Sequence, residues 1–138
     1  MFNNKIKISN KIIEETRCFI VAEISANHKK NFKILKKFLL ELKYSGVDAV
    51  KLQAYQANTI TIDKKSKDFL ISKSNTWSKY NNLYSLYKKA ETPLEWFPKV
   101  FKFCKKINLI VFASVFDETN LKVLEKLNCP AYKVASPE

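Results

Sequence analysis

The stretch Ala49-Val50-Lys51-Leu52-Gln53-Ala54-Tyr55 has the composition of a buried β-strand with a lysine inside it. The last seven residues, Tyr132-Lys133-Val134-Ala135-Ser136-Pro137-Glu138, repeat that pattern. Removing an unpaired ammonium from water is costly, so a lysine inside an apolar strand needs a partner of opposite charge. Two such strands in one parallel sheet therefore predict a shared anion.

Strand-like and helix-like segments alternate on both sides of these two stretches. Apolar β-prone runs are expected to form strands at residues 18–22, 47–52, 109–113 and 131–135, and the first is expected to be covered on both faces. Amphipathic helices are expected between them, with Asn31, Thr92 and Asp117 as their caps; Pro93 would take the first helical position and Glu95 would complete a capping box. This order predicts an α/β fold with a parallel sheet.

Two segments stand outside that alternation. Residues 6–13 are predicted to form a small β-hairpin ahead of the main fold. Residues 54–91 form a long excursion, with an extended piece at 59–62 and a short helix near 83–90. A long excursion after a strand usually serves as a lid or a binding loop.

The bulk composition restricts the class of protein. The 138 residues suffice for one domain with its own core, and the net charge of +12 allows a nucleic-acid or membrane-surface partner or simply a lysine-rich surface. The lysines are scattered along the sequence, which favours a lysine-rich surface without such a partner. No apolar run reaches roughly 18 residues, and no signal peptide is recognisable at the N-terminus. Three widely spaced cysteines indicate reduced core residues in a cytoplasmic protein, and a single histidine, His28, cannot build a histidine metal cluster.

Polar side chains gather where the predicted strands end. In order along the chain they are Glu23, Lys51, Gln53, Ser114, Lys133, Ser136 and Glu138. In a (β/α)8 barrel these strand ends meet at one face, where a small anion carrying phosphate and carboxylate would be bound. Each residue also has a plainer interpretation: Lys51 could extend to solvent from an edge strand, the serines could be turn or capping residues, and Glu23 could simply pair with a lysine. His28 lies in a loop that is as easily structural as functional.

Several stretches resemble the sialic acid synthase family. They are Phe19-Ile-Val-Ala-Glu-Ile-Ser-Ala-Asn-His28, Gly46-Val-Asp-Ala-Val-Lys-Leu-Gln53, Phe112-Ala-Ser-Val-Phe-Asp117 and Tyr132-Lys-Val-Ala-Ser-Pro-Glu138. Leu83-Tyr-Ser-Leu-Tyr87 and Ala90-Glu-Thr-Pro-Leu-Glu-Trp96 are more similar to the pseudaminic acid synthase branch. The resemblance covers nearly the whole chain in one register.

The resemblance implies an enzyme that condenses phosphoenolpyruvate with an N-acetylated amino-sugar aldehyde, giving a nonulosonic acid and phosphate. It implies that residues 18–138 are the N-terminal half of a (β/α)8 TIM barrel with about four parallel strands, preceded by a hairpin at 1–17. Phosphoenolpyruvate would be bound by Lys51, Gln53, Ser114, Lys133 and Ser136. Glu23 and Glu138 would face the sugar, and Glu23, Lys51 and Lys133 would be catalytic. A divalent metal, Mn²⁺ or Mg²⁺, would act as the Lewis acid, with ligands that this chain does not contain.

The sequence also departs from the family pattern. The usual Asn-His-Asn-Gly loop is here Asn27-His28-Lys29-Lys30, and Val115 replaces the usual proline after Ser114. Because the sequence stops after the fourth predicted strand, we expect a fragment, a split gene or a decayed one that is inactive alone. A homodimer or a second chain would then supply the missing half. Alternatives are another phosphoenolpyruvate-condensing barrel, a non-catalytic remnant, or a basic nucleic-acid-binding module; the lack of a known motif argues against nucleic acid.

Overall fold

The computed structural model describes residues 5–134 as strands and helices in alternation. The strands are β1 (Ile6–Ile8), β2 (Lys11–Ile13), β3 (Val21–Glu23), β4 (Ala49–Ala54), β5 (Ile110–Val115) and β6 (Tyr132–Val134). The helices are α1 (Phe32–Tyr44), α2 (Ala57–Ile60), α3 (Leu83–Ala90), α4 (Trp96–Lys106) and α5 (Glu118–Lys126), with a short 3₁₀ turn at Lys67–Phe69.

Two sheets are formed. β1 and β2 make an antiparallel hairpin, and β3, β4, β5 and β6 lie side by side in that order, each pair parallel. Helices connect the successive parallel strands, as crossover connections require. This confirms the predicted α/β class, with four parallel strands behind a hairpin.

One face of the parallel sheet packs against α1, α4 and α5. The fully buried core side chains there include Leu35, Leu39, Leu52, Phe97, Val100 and Leu124. Asn31 caps α1 as predicted, since its side chain accepts hydrogen bonds from the N–H groups of Lys33 and Ile34. Asp117 likewise caps α5. Gly46, at φ +82°, follows α1 in the left-handed conformation that its sequence position predicts.

The hairpin lies against the other face of the sheet, near the amino ends of the strands. Ala49, Ile110 and Phe112 form a small apolar cluster with Ile8 and Phe19. Ion pairs add to this contact: the buried Asp48 carboxylate lies 2.7 Å from Lys11 Nζ and 2.6 Å from Arg17 Nη2, and it also accepts the N–H of Ile20 at 2.8 Å. These hydrogen bonds hold the pKa of Asp48 far below its usual range, that from Lys11 contributing most.

The first parallel strand differs from the prediction. The strand is Val21–Glu23 instead of 18–22, and Ile20 and Val21 are exposed where covering on both faces was expected. Within the described residues β3 is an edge strand with one neighbour. Cys18 is also exposed, against the expected core position, whereas Cys104 is buried and Cys129 half-buried.

The start of α4 and the conformation of residues 59–62 were also predicted wrongly. α4 begins at Trp96, so Thr92 does not cap it, Pro93 is not its first residue and Glu95 makes no capping hydrogen bond. The Thr92 hydroxyl instead lies 3.2 Å from the ring of His28. The piece expected to be extended at 59–62 contains the end of the short helix α2, because Gln56 and Thr59 form a reciprocal capping arrangement.

Candidate functional site

The sheet register brings five of the predicted site residues to one face. Glu23 on β3 is opposite Lys51 on β4, and Gln53 on β4 is opposite Ser114 on β5, which in turn is opposite Lys133 on β6. Paired positions on parallel strands share a face, and so do positions two apart on one strand. All five therefore lie on the face opposite the α1, α4 and α5 core, at the carboxyl ends of the strands.

Lys51 makes the closest polar contacts in this cluster. Its ammonium forms an ion pair with the Glu23 carboxylate and donates a hydrogen bond to Ser114 Oγ at 3.2 Å. The Lys51 side chain is 19% exposed and that of Glu23 is 38% exposed. Ser114 is buried. Lys51 thus has a partner, and it does not extend away from an edge strand.

The electrostatics of the cluster favour an incoming anion. Burial lowers the pKa of Lys51, and the positive charge of nearby Lys133 lowers it further. Lys133 itself is exposed on β6. Two ammonium groups that repel each other are both stabilised when an anion binds beside them.

The remaining predicted residues are less informative. Gln53 is half-buried on the same face, and its side chain makes no hydrogen bond to another described residue. Ser136 and Glu138 lie outside the described residues, as does Ala135 of the predicted fourth strand.

Glu91 is a buried carboxylate that no sequence pattern indicated as part of a site. It accepts hydrogen bonds from Lys30 Nζ at 3.1 Å and from the backbone N–H of Ala57 at 2.8 Å, and it pairs with Lys88 Nζ at 2.9 Å. Burial raises its pKa, but the hydrogen bonds from Lys88, Ala57 and Lys30 outweigh that effect and lower it. Glu91 thereby joins three segments beside the strand ends: the loop after β3, the start of α2 and the end of α3.

His28 is fully buried and has a structural environment. Its Nδ1 accepts the backbone N–H of Lys30 at 3.1 Å, so in the neutral ring Nε2 carries the proton and donates to Thr92 Oγ1 at 3.2 Å. The ring also packs edge-to-face on Trp96, at 5.5 Å between centroids. Burial lowers the pKa of His28, and the charge of Lys30 lowers it further.

An aromatic cluster lies where β4 and β5 end. The ring of Tyr55, the first residue after β4, packs edge-to-face on Tyr87 and on Phe116, the first residue after β5. Tyr55 is buried, which raises its pKa to about 12 and keeps its hydroxyl protonated. Nearby, Thr59 donates to the Asp117 carboxylate at 2.8 Å, which ties α2 to the cap of α5.

The described residues do not fit a divalent metal. Residues 5–134 contain no cluster of three histidine, cysteine or acidic side chains that could hold one. Both ring nitrogens of His28 are engaged, and Glu23 is paired with Lys51. That the metal ligands lie elsewhere remains a prediction. In the same residues no helix is long and apolar enough to cross a bilayer.

Comparisons with known proteins find similar sequences over most of the chain. The NeuB family model matches residues 39–138. A pseudaminic acid synthase of Helicobacter pylori is 46% identical over 119 residues, covering 86% of this chain and 34% of that protein. One from Campylobacter jejuni is 35% identical over 124 residues, covering 90% and 36%. The chain thus spans about a third of the length of the curated relatives it matches.

A solved structure shows the same fold. The crystal structure of an N-acetylneuraminic acid synthetase from Leptospira borgpetersenii, in complex with citrate, superposes with a TM-score of 0.74 at 24% identity. The match covers 94% of this chain and 40% of that one. A mouse N-acetylneuraminate-9-phosphate synthase is 27% identical over 120 residues, covering 86% of this chain and 32% of that protein.

Proposed function

Because this chain belongs to the NeuB family, as its sequence predicts, we propose that Lys51 and Lys133 bind phosphoenolpyruvate in a pseudaminic acid synthase, with Glu23 as the third catalytic residue. Gln53 and Ser114 complete the cluster on the same face of the sheet, and Ser136 is assigned to it by its position in the sequence. Glu23 and Glu138 are assigned to the sugar side. The observation that carries the proposal is the pairing of Lys51 with both Glu23 and Ser114, beside Lys133.

The proposed reaction forms one carbon–carbon bond. Carbon C3 of phosphoenolpyruvate attacks the aldehyde carbon of an N-acetylated amino sugar, and water adds to the oxocarbenium ion left at C2. Phosphate then leaves with cleavage of its C–O bond, giving the nonulosonic acid. Lys51 and Lys133 offset the charge of the carboxylate and phosphate throughout, since ammonium groups held in place stabilise anionic charge without reorganisation.

Glu23 holds the ammonium of Lys51 in place before substrate arrives. Its carboxylate forms an ion pair with that ammonium on the same face of the sheet. When the anion takes over that pairing, Glu23 is free to accept a hydrogen bond from a sugar hydroxyl or to hold a proton. The resemblance also implies Mn²⁺ or Mg²⁺, whose ligands are proposed to lie outside the described residues. The roles proposed for Glu23, Lys51 and Lys133 do not depend on this metal.

The identity values support the pseudaminic branch. The chain is 46% identical to the Helicobacter pylori pseudaminic acid synthase and 27% identical to the mouse N-acetylneuraminate-9-phosphate synthase. The amino sugar is therefore proposed to be of the pseudaminic type. Residues 83–96, where the sequence resembles that branch, form α3 and the connection to α4.

The organisation of the working enzyme is also part of the proposal. Residues 1–17 are proposed to be an N-terminal hairpin unit and 18–138 part of a TIM barrel. The rest of the barrel is proposed to come from further residues, from a second copy of this chain in a homodimer, or from a different chain. Three free cysteines support a reducing, cytoplasmic location.

Binding of phosphoenolpyruvate to the purified chain tests the site. Calorimetric titration should give saturable binding that weakens as salt is added. Lys51→Gln and Lys133→Gln should each weaken it at least about fivefold, while Lys37→Gln, an exposed lysine on α1, should leave it unchanged. If all three variants weakened phosphoenolpyruvate binding equally, the effect would come from the loss of net positive charge. That result would overturn the assignment of Lys51 and Lys133 to the site.

A chimera tests the reaction. Residues 5–134 would replace the matching third of the Helicobacter pylori relative, and phosphate release would be followed with phosphoenolpyruvate and the amino sugar. Turnover that disappears in the Lys51→Gln chimera supports the proposal. A folded chimera that binds phosphoenolpyruvate but releases no phosphate with any amino sugar would contradict it.

A further inference from the structure

A cleft lies at the opposite end of the sheet from Lys51. It has a volume of about 660 Å³ and is bounded by the carboxyl ends of α4 and α5, the start of β5 and the hairpin turn at Ser9 and Asn10. This volume falls within the range of roughly 300–1,000 Å³ that is usual for small-molecule sites. We call it the basal cleft.

The charged side chains that line the basal cleft are all cationic. They are Lys102, Lys105 and Lys126. No acidic side chain lines it, and no carboxylate in residues 5–134 pairs with any of the three. A concave surface with charges of one sign focuses the field and attracts anions.

The uncharged lining combines polar and apolar residues. Asn10, Asn108 and Asn128 border the cleft, and their side-chain amides make no hydrogen bond to another described residue. Phe101, Leu109 and Leu127 also line it, and Leu109 is buried. A lining of amides, lysines and apolar side chains suits a ligand that has both an anionic group and an apolar surface.

Helix capping explains only part of this arrangement. Lys105 and Lys126 lie in the last turns of α4 and α5, where cations favour the helix dipole. Lys102 lies a turn earlier, so the dipole does not account for it. Asn108 and Asn128 follow their helices with φ +52° and +53°, a conformation that asparagine tolerates. Capping does not require all of these side chains to border one concave surface.

We propose that the basal cleft binds a small amphipathic anion, a phosphate or carboxylate carried on an aromatic or aliphatic body. The lysines and amides hold the anionic group, and the body covers Phe101, Leu109 and Leu127. The ligand is distinct in chemistry from phosphoenolpyruvate, which has no apolar body of comparable size. The inference does not depend on the proposed synthase activity, because the two sites share no residue.

Residue-resolved NMR of the full chain tests this proposal with phenyl phosphate as the probe. Phenyl phosphate should shift the backbone amides of residues 109–111 and 127–129, and it should bind more tightly than either inorganic phosphate or phenol. Lys51→Gln should not change that affinity, which separates the basal cleft from the strand-end cluster. Shifts confined to the strand ends, or equal affinity for inorganic phosphate, would overturn the proposal.

Two kinds of variant separate binding from folding. Lys102→Gln should weaken phenyl phosphate about two- to fivefold, the range for one exposed ion pair, and Lys99→Gln on the exposed side of α4 should not. Asn108→Gly removes one amide at a position where glycine is favoured, so it should weaken binding without lowering the melting temperature. Unchanged affinity in both Lys102→Gln and Asn108→Gly would refute the site.

Discussion

Lys51 Nζ and Ser114 Oγ lie 3.2 Å apart across the neighbouring strands β4 and β5. The serine is buried, so its hydroxyl oxygen holds one side of the ammonium in a fixed direction while Glu23 holds another. The lysine is thereby oriented before any ligand arrives. Such preorganisation reduces the entropy lost on binding.

Ser114→Ala should therefore weaken phosphoenolpyruvate binding about fivefold while costing only about 1 kcal/mol of stability, the usual net value of one hydrogen bond. Calorimetric titration and urea unfolding measure the two quantities. Ser78→Ala is the matched control, because that serine is exposed on the excursion. If Ser114→Ala bound phosphoenolpyruvate with unchanged affinity, the hydrogen bond from Lys51 to Ser114 would not contribute to binding.

Glu91→Gln should destabilise the chain by about 2 kcal/mol, because a buried carboxylate with three donors is replaced by a neutral amide. The folded-state pKa of Glu91 is lowered, so its contribution is present above its unfolded pKa of 4.5 and is lost as the pH falls through the folded value. The stability difference between wild type and variant should therefore shrink below about pH 4.5.

Glu95→Gln is the control for the Glu91 experiment. Glu95 lies at the start of α4, is exposed and makes no capping hydrogen bond. Glu95→Gln should therefore leave the free energy of unfolding and its pH dependence nearly unchanged. Equal effects of the two variants would mean that the contacts of Glu91 with Lys30, Lys88 and Ala57 contribute nothing.

The sheet could be predicted from the sequence because its signals are local. Continuous apolar runs indicate strands, and the two-residue period of a strand places Lys51 and Gln53 on one face. The contacts of Lys51 with Ser114 and Glu23 depend also on the register of the strands, which the structure supplies. Cap signals of the same local kind predicted the starts of α1 at Asn31 and of α5 at Asp117.

The remaining features depend on contacts between distant residues. Thr92 has the local pattern of a helix cap, but His28, 64 residues away, takes its hydroxyl. In the sequence, Glu91 is an acidic residue near several lysines and has no pattern that marks it as buried. Its contacts with Lys30, Lys88 and the start of α2 form only in the folded chain. A local pattern cannot show which of two competing partners a side chain meets.

His28 should make stability depend on pH in the neutral range. Its folded pKa is lowered from 6.5, so the unfolded chain binds the proton more readily, and stability falls as the pH drops below about 6.5. The slope is limited to about 1.4 kcal/mol per pH unit for one proton. Urea unfolding between pH 8 and 5.5 measures it, and in His28→Gln the slope should disappear because the chain has no other histidine. A slope that persists in this variant would assign the effect to another group.

Lys29→Gly should stabilise the chain by about 1 kcal/mol, because Lys29 has φ +51° and a side chain there costs roughly that amount. Lys29 is exposed and is not in an ion pair with a described residue, so its replacement removes strain without removing a contact. Lys29→Ala keeps the Cβ and should give little change, which makes it the matched control in thermal unfolding. Lys30→Gly, at φ +49°, should gain less, because it also loses the contact with Glu91. If Lys29→Ala stabilises the chain as much as Lys29→Gly, the gain comes from the lost charge and not from the backbone.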